Sequence, residues 1–427
     1  MKVMVIGSGG REHALCWKLS QSPKVESVLC LPGNEGTRMT AKCRNLDIKN
    51  IDEQVDTAVR TKTDLALIGP EVPLVEGIAD KMRTAGIPTV GPGKVAARLE
   101  GSKAAAKDFM VRHGVRTAGY RRFHREERDS AEDYLRSAEY PLVIKADGLA
   151  AGKGVTICGS EDEALQTVKM LFEEDILEGS GHTVVVEQYL QGKEVSVLSL
   201  CDGKRIVPLI SAMDHKRIGD GDTGPNTGGM GAVAPNPYFT DALKDDFEKA
   251  ILRPTLQGLR NEELDYRGII FFGIMLHQDR NYLLEYNVRF GDPETQAVLP
   301  LLDEDLAELL EEVAEGSLKR ETLRYHEGAA CNVVMASGGY PGKYPTGRVI
   351  RFSTLVSSED DSPRSTRTSM FIAGAQRQDG RLVTSGGRVL SVTGIGVNPD
   401  DARRQAYEGV RQVDFQDKYY RRDIGFC

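Results

Sequence analysis

Short apolar runs alternate with amphipathic stretches through the first hundred residues of the chain. The apolar runs predict strands at Val3–Ile6, Val28–Leu31, Leu65–Ile68 and Ile87–Val90, with helical patterns between them. Such alternation predicts a doubly wound parallel sheet, which binds its ligands at the carboxyl ends of the strands. Each predicted strand runs into a loop containing Gly or Pro, so we expect all four loops to line that edge.

A Gly-rich loop, Asp147–Gly154, joins two further apolar strands in the middle of the chain. The first of these strands ends at Lys145 and the second begins at Val155, so we interpret the loop as a hairpin lid over a nucleotide. Glycines let a backbone approach phosphate oxygens, and a lysine adds positive charge. A flexible hairpin with an exposed lysine would show the same pattern. The residues predicted to contact phosphate here are Gly152, Lys153 and Gly154.

The longest apolar run, Gly268–Leu276, predicts a hairpin whose second arm begins near Tyr282. Because side chains alternate faces along a strand, Glu285, Asn287 and Arg289 share one face of that arm. A carboxylate and an amide oxygen are hard ligands suited to Mg²⁺, and an arginine can clamp a phosphate or carboxylate in two places. A solvated face of an edge strand would carry the same residue types.

The first glycine turn, Gly7–Gly10, opens a helix at Arg11 and therefore forms an anion site from free backbone N–H groups. A complete dinucleotide fingerprint needs a third glycine, but Glu12 stands in its place. No acidic residue ends the next strand either. A single phosphate fits this turn better than a dinucleotide, although an ordinary tight turn would look the same.

Two other stretches contribute polar residues. The strand Thr183–Glu187 carries an acidic end that either borders a nucleotide or faces solvent. The Gly-rich run Asp214–Gly231 is typical of a binding loop, with disorder as the alternative.

The pattern over Leu299–Leu318 predicts a helix. From Gly328 onward, short strands between turns predict a small β-rich domain that closes one wall of the cleft.

Composition narrows the class of protein. The 427 residues are enough for about three domains, and the net charge of -8 does not favour nucleic acid or anionic membrane partners. No apolar run approaches the roughly 18 residues of a membrane span. The seven cysteines form no C-x-x-C pair and the seven histidines no H-x-x-x-H pattern, so neither a disulfide framework nor a zinc site is indicated. We expect a reduced, cytoplasmic protein.

The motifs together resemble one enzyme family over nearly the whole chain. The longest are L-E-G-S-K, I-K-A-D-G-L-A-A-G-K-G-V, D-H-K-R, G-P-N-T-G-G-M-G-A and N-V-R-F-G-D-P-E. They resemble the phosphoribosylamine–glycine ligase family of the ATP-grasp superfamily. One segment, Phe371–Ala375, departs from that family, which commonly has His-Ala-Gly-Thr after an aromatic residue there.

The resemblance implies an ATP-grasp fold of mixed α/β and α+β domains, with a doubly wound N-terminal domain and a small β-rich C-terminal domain. The implied domains are residues 1–103, residues 104–327 with a lid at about 122–192, and residues 328–427. The implied reaction joins glycine to 5-phosphoribosylamine through a glycyl phosphate and converts ATP to ADP and phosphate. The expected partners are these small molecules alone, with Mg²⁺ or Mn²⁺ as the metal, and the chain is expected to be a monomer.

The resemblance also implies a role for each matching residue. Glu285 and Asn287 would hold the metal, and Arg289 would steady the transferred phosphate. The residues implied for ATP are Lys107 and Lys145 at the α- and β-phosphates, Glu187 and Leu190 at the adenine, and Glu194 at the ribose. The residues implied for glycine and the amine are Asp214, Lys216, Asn226, Thr227 and Gly228. The residues implied for the ribose 5-phosphate are Gly9, Gly10 and Arg11.

Three other functions stay open on the sequence alone. Another ATP-grasp ligase would activate a different carboxylate, or bicarbonate, and would differ mainly in the Asp214–Gly231 run. A non-catalytic nucleotide-binding regulator would bind ATP without hydrolysing it. A dehydrogenase is the weakest alternative because the first glycine turn lacks its acidic partner.

Overall fold

The computed structural model describes residues 1–149, 154–173, 182–353 and 367–426. Its N-terminal part is the predicted parallel sheet, with strand order β3-β2-β1-β4-β5. The strands are β1 (Lys2–Gly7), β2 (Ser27–Pro32), β3 (Cys43–Asn45), β4 (Leu65–Ile68) and β5 (Thr89–Val90). The helices are α1 (Gly10–Ser20), α2 (Glu35–Met39), α3 (Ile51–Thr61), α4 (Glu71–Glu76), α5 (Ile78–Thr84) and α6 (Lys94–Gly101).

The central part contains two four-stranded sheets, with strand orders β6-β9-β7-β8 and β11-β10-β16-β17. The strands of the first are β6 (Tyr120–His124), β7 (Leu142–Ala146), β8 (Val155–Cys158) and β9 (Thr183–Gln188). The strands of the second are β10 (Lys193–Cys201), β11 (Ile206–Pro208), β16 (Gly268–His277) and β17 (Arg280–Asn287). The helices are α7 (Lys103–Arg112), α8 (Arg128–Ser137), α9 (Glu161–Glu173), α10 (Asp241–Phe247), α11 (Arg253–Asn261), α12 (Glu294–Val298) and α13 (Leu306–Glu315). A short 3-10 helix, a π-helical turn and a second 3-10 helix complete this part at Arg125–Glu127, Glu248–Leu252 and Leu299–Leu301.

The predicted hairpin around the Gly-rich loop is confirmed, since β7 and β8 pair antiparallel with Lys145 opposite Val155. The loop residues 150–153, and with them Gly152 and Lys153, lie outside the described residues. Gly154 is described, and its carbonyl accepts a hydrogen bond from the Ala146 N–H at 2.8 Å.

The predicted apolar hairpin is also confirmed, as β16 and β17. Gln278 and Asp279 both have positive φ, of 49° and 56°, as a two-residue turn with the twist of a hairpin requires. The register shifts at Leu284, so that Leu283 faces Ile274 and Glu285 faces Gly273. This bulge bends the strand just before Glu285.

The C-terminal part is a sheet with strand order β12-β15-β18-β23-β20, to which β25 adds by pairing with β18. Two of its strands, β12 (Met213–Asp214) and β15 (Gly231–Ala234), come from the middle of the chain, and the hairpin of β13 (Arg217–Gly219) and β14 (Thr223–Asn226) lies between them. The remaining strands are β18 (Ala329–Ser337), β19 (Arg351–Phe352), β20 (Arg367–Ile372), β21 (Ala375–Gln378), β22 (Arg381–Thr384), β23 (Arg388–Gly396), β24 (Val413–Asp414) and β25 (Lys418–Tyr419). Helix α14 (Pro399–Arg411) packs across β23 and β18.

The largest apolar core joins these parts. It extends from the N-terminal sheet through α13 to Phe371 of β20, so the segment that departs from the family pattern packs against α1. There, the Ile372 N–H donates to His13 Nδ1 at 2.8 Å, and Phe371 meets the rings of His13 and Trp17 edge-on. Within the described ranges, no helix is both long enough and apolar enough to cross a bilayer.

Candidate active site

Two lysines share one buried carboxylate in the central part. Lys107 on α7 and Lys145 on β7 approach the two oxygens of Glu187 on β9, at 2.8 Å to Oε2 and 2.9 Å to Oε1. Strand pairing fixes this arrangement, because Glu187 lies opposite Val143 and so on a strand directly beside Lys145. We call these three residues the lysine–glutamate triad.

The triad contacts the hairpin that carries the predicted metal ligands. Lys107 Nζ donates to Thr117 Oγ1 at 2.7 Å, and Thr117 donates in turn to the Leu283 carbonyl at 2.6 Å. Lys145 Nζ lies 3.3 Å from the Leu284 carbonyl at the bulge. Burial lowers the pKa of Lys107 to about 8, even though Glu187 attracts its charge. The Lys107 ammonium is therefore held in a site that favours additional negative charge.

Glu285 lies in the electrostatic field of four cations. Burial alone would raise the pKa of its carboxyl, but Lys216, Lys145, Lys103 and Arg289 outweigh burial and hold that pKa below its usual value. These cations come from separate parts of the chain, because Lys103 begins α7, Lys145 lies on β7, Lys216 follows β12 and Arg289 follows β17. Glu285 is therefore an ionised carboxylate within a strongly positive environment.

The surroundings of Glu285 fit a hard divalent cation. Gly273 faces it across the hairpin, and a Cβ atom at that position would approach Glu285 Cγ to 3.1 Å. Asn287, two residues further on, presents Oδ1 on the same face, where it accepts a hydrogen bond from Arg289 at 3.1 Å. An ionised carboxylate and an amide oxygen form a donor set that suits Mg²⁺.

Arg289 is held by carboxylates from the N-terminal part. Its guanidinium lies 3.0 Å from Glu100 Oε1 and 3.3 Å from Glu71 Oε2. Burial would lower the pKa of Arg289, but Glu100 and Glu71 raise it, so the guanidinium is always charged. Glu100 Oε2 also accepts the Val288 N–H at 2.7 Å, which fixes the backbone beside Arg289.

A second group of charges includes Lys216, one of the four cations that act on Glu285. Lys216 Nζ contacts Glu194 Oε2 at 2.5 Å, and the predicted ribose ligand Glu194 is therefore paired with a predicted substrate residue. Burial and the nearby Glu294 raise the pKa of Asp214 well above its usual value. Within the described ranges, Asp214 Oδ1 is buried without a hydrogen-bond partner.

The loop that carries Asn226, Thr227 and Gly228 closes onto this group. Thr227 Oγ1 donates to the Lys216 carbonyl at 2.8 Å, and Asn226 ends β14 on the exposed side. Gly229 has a φ of +106°, and a Cβ atom there would come within 2.8 Å of Asp214 Oδ1. A glycine is thus needed both for the backbone conformation and for the space beside the carboxylate.

Two residues of this site come from the C-terminal part, where the sequence indicated no chemistry. Arg388 Nη1 donates to the Gly228 carbonyl at 2.5 Å and lies 3.2 Å from Asp292 Oδ1. The Tyr340 hydroxyl accepts the Gly228 N–H at 3.0 Å. A lone arginine after two glycines carries no recognisable motif. Glu294 gave a clearer signal, because it ends the same polar stretch as Glu285.

The first glycine turn lies next to the stretch after β17. The Gly9 N–H donates to Glu12 Oε2 at 2.5 Å, while the Arg11 guanidinium contacts Glu12 Oε1 at 2.5 Å and donates to the Phe290 carbonyl at 3.1 Å. A Cβ atom at Gly10 would lie 2.8 Å from Gln296 Nε2. The predicted phosphate turn and Arg289 thus border the same region.

Contacts or electrostatic coupling connect most of the predicted residues that the structure describes to Glu285 or to its neighbours. Leu190, which was predicted to contact the adenine, is buried and follows Glu187 closely in the sequence. Glu187 itself is directed at the two lysines, which no local pattern had indicated. Lys103, which was also not singled out, donates to the Gly148 carbonyl at 2.8 Å and anchors the start of the Gly-rich loop.

Family-level comparison covers almost the entire chain. Residues 1–100 match the N domain of phosphoribosylglycinamide synthetase, residues 101–295 match its ATP-grasp (A) domain, and residues 330–427 match its C domain.

Individual relatives agree with this match. The chain is 47% identical over 425 residues to a phosphoribosylamine–glycine ligase of Clostridium acetobutylicum, covering 100% of this chain and 99% of that protein. It is 44% identical over 430 residues to the protein of the same name from Escherichia coli O157:H7, covering 100% and 98%.

Solved structures extend the likeness to the fold. A crystal structure of phosphoribosylamine–glycine ligase from Thermotoga maritima has a TM-score of 0.85 at 36% identity, over 99% of this chain and 100% of that one. A biotin carboxylase domain of Hydrogenobacter thermophilus 2-oxoglutarate carboxylase, in complex with MgADP, ADP and bicarbonate, has a TM-score of 0.75 over 98% of this chain and 91% of that one. At 16% identity, that second likeness concerns the fold alone. The predicted ATP-grasp fold is confirmed, and the chain belongs to the phosphoribosylglycinamide synthetase family.

Proposed function

We propose that this chain is an ATP-dependent ligase that joins glycine to 5-phosphoribosylamine, and that the residues around Glu285 carry the reaction. The product is glycinamide ribonucleotide, and the reaction is a step of purine synthesis. The observation that carries this proposal is the position of one ionised carboxylate, Glu285, among four cations from separate parts of the chain. Such a site suits a triphosphate with its metal ion, which brings both the missing negative charge and the metal.

ATP would bind with its phosphates at the lysine–glutamate triad. The buried ammonium groups of Lys107 and Lys145 already require a nearby anion, and a triphosphate supplies more negative charge than Glu187 alone. Lys103 holds the Gly148 carbonyl near the start of the Gly-rich loop. Closure of that loop would cover the phosphates. The roles of Leu190 at the adenine and of Glu194 at the ribose stay predictions.

Glu285 and Asn287 would hold Mg²⁺, with Mn²⁺ as the predicted alternative, and the ion would neutralise charge on the phosphate oxygens. The charge of Glu285 and the amide oxygen of Asn287, two residues further on, support this assignment. Arg289, fixed by Glu71 and Glu100, would steady the transferred phosphate. Because its position is set before substrate binds, little reorganisation is needed during transfer.

Glycine would bind between Asp214 and Arg289. The buried, unpartnered Oδ1 of Asp214 suits the glycine ammonium group, which has three donors. Lys216 would attract the glycine carboxylate toward the transferable phosphate. Arg388 and Tyr340 hold Gly228 from both sides and would keep the loop closed over this pocket.

The chemistry then takes two steps. A carboxylate oxygen of glycine attacks the γ-phosphorus of ATP and ADP leaves, which gives glycyl phosphate. The amine of phosphoribosylamine attacks the glycyl carbonyl carbon, phosphate leaves, and the nitrogen loses a proton. Gly9, Gly10 and Arg11 would receive the 5-phosphate of the amine substrate, next to the stretch that follows Arg289.

A coupled assay of ADP release tests the proposal. We expect ADP only when glycine and phosphoribosylamine are both present, with no ADP when bicarbonate or alanine replaces glycine. ADP release with bicarbonate would favour another ligase of the same fold. ATP binding without ADP release under every substrate pair would favour a regulator. The monomeric state and the cytoplasmic location stay predictions.

A further inference from the structure

Three cysteine sulfurs meet in the N-terminal part, although the spacing of the cysteines in the sequence indicated no metal site. The Sγ atoms of Cys16, Cys30 and Cys43 all lie within 4.8 Å of one another, and those of Cys16 and Cys30 are 3.2 Å apart. Cys16 and Cys30 are fully buried, whereas Cys43 is half-buried. The proposed ligase chemistry uses none of these thiols.

The fold explains why residues so distant in sequence converge. Cys16 lies on α1, which packs on the sheet, and Cys30 and Cys43 lie on the adjacent parallel strands β2 and β3. In that pairing, Cys43 faces Val28 and Cys30 faces Asn45, so the two cysteines are two residues apart along the strands. Residues separated by two positions share a face, and both thiols therefore point to the same side as α1.

We propose that Cys16, Cys30 and Cys43 form a site for one soft d¹⁰ cation, either Zn²⁺ or Cu⁺. An ion bound by three thiolates at about 2.3 Å each needs sulfurs about 4 Å apart. All three sulfurs lie within 4.8 Å of one another and the closest pair is 3.2 Å apart, so small side-chain shifts are enough to form the site.

Ligand chemistry makes this site selective against the metal of the active site. Thiolates favour soft ions, whereas Mg²⁺ prefers oxygen ligands. Each thiol loses its proton to solvent as its sulfur binds, so up to three protons are released and no redox change occurs. Cys43 is half-buried and provides the entry path, and a water molecule entering there would give Zn²⁺ its fourth ligand.

Metal titration of the full-length, reduced protein tests this site without reference to ligase activity. The titrations use a Cys427→Ser background, because residue 427 lies outside the described part of the chain. Zn²⁺ and Cu⁺ are added separately, in excess Mg²⁺, and binding is followed by competition with a chromophoric chelator and by thiolate-to-metal charge-transfer absorption. We expect one tightly bound equivalent per chain for at least one of the two ions.

Two variants make the assignment specific. Cys43→Ser removes the most accessible ligand and should weaken binding at least tenfold, whereas Cys158→Ser, which removes a buried thiol outside the cluster, should leave binding unchanged. Absence of a tight equivalent would overturn the proposal, as would equal binding by the Cys43→Ser variant. Formation of a Cys16–Cys30 disulfide in place of metal binding would also overturn it, and peptide mapping would detect that bond.

Discussion

The lysine–glutamate triad gives the sharpest stability prediction, through the substitution Glu187→Gln. The variant keeps the size of the side chain and removes its charge, which leaves Lys107 and Lys145 buried side by side. Burial already holds the pKa of Lys107 at about 8 instead of 10.5, a cost of about 3 kcal/mol for its ammonium with Glu187 in place. Breaking a buried ion pair by removing one partner typically costs about 3–5 kcal/mol. We therefore expect a loss of at least about 3 kcal/mol.

Urea denaturation at neutral pH measures this loss, with Glu321→Gln as the matched control. Glu321 has a side chain that is 86% exposed, so its variant should retain wild-type stability. The double variant Glu187→Gln/Lys107→Met should recover much of the loss, because it removes one of the two unpaired ammonium groups.

ATP provides a second readout on the same variant. If the triphosphate binds at Lys107 and Lys145, it replaces the missing negative charge, so MgATP should stabilise Glu187→Gln more than it stabilises wild-type protein. The reasoning is refuted if Glu187→Gln lies within about 0.5 kcal/mol of wild type, which is the effect of an ordinary surface change. Equal stabilisation of both proteins by MgATP would contradict the proposal that the phosphates bind at Lys107 and Lys145.

Three further predictions concern glycine binding and the contact between the N- and C-terminal parts. Burial and Glu294 raise the pKa of Asp214, and protonation removes the charge that would bind the glycine ammonium. KM for glycine should therefore rise as pH falls through that pKa, by up to about tenfold per pH unit. If the Asp214→Asn variant shows the same dependence of KM on pH as wild type, the prediction is contradicted. Arg388→Lys loses the planar fork that holds the Gly228 carbonyl and should raise KM for glycine about tenfold, so an unchanged KM would remove Arg388 from the pocket. Burial lowers the pKa of His13 to about 4 from 6.5, so the unfolded chain takes up this proton first as pH falls and stability drops between pH 6.5 and 4. By urea denaturation, wild-type protein should lose up to about 3 kcal/mol more than His13→Asn over that range; equal losses would show that His13 is not the group responsible.

The alternation of polar and apolar residues along the strand that carries Glu285 correctly predicted which of its side chains are buried. Glu285 and Asn287 are partly exposed on β17 and Tyr286 between them is buried, because alternation is a geometric property of extended backbone. The same burial pattern continues beyond the end of the strand, where Arg289 is partly exposed between the buried Val288 and Phe290. The parallel sheet and both hairpins were predicted from a different signal, namely short apolar runs and the loops between them. The bulge at Leu284 was not predicted, since it depends on pairing with β16.

Contacts between residues that are distant in the chain could not be predicted from the sequence. The predicted single helix at Leu299–Leu318 is wrong: a 3-10 turn at Leu299–Leu301 ends, and α13 starts separately because Asp305 accepts the N–H groups of Ala307 and Glu308 as an N-cap. Glu187 reaches two lysines from other elements, and Arg388 enters the site from the C-terminal part. No local spacing encodes such contacts.

Turnover by Glu285→Ala tests the central claim most directly. Glu126→Ala, a change at an exposed glutamate, is the control, and circular dichroism verifies that both variants are folded. With glycine, phosphoribosylamine and MgATP all present, we predict that Glu285→Ala forms glycinamide ribonucleotide at least about a hundredfold more slowly than wild type, while Glu126→Ala retains full activity. Wild-type turnover in a folded Glu285→Ala variant would contradict the account.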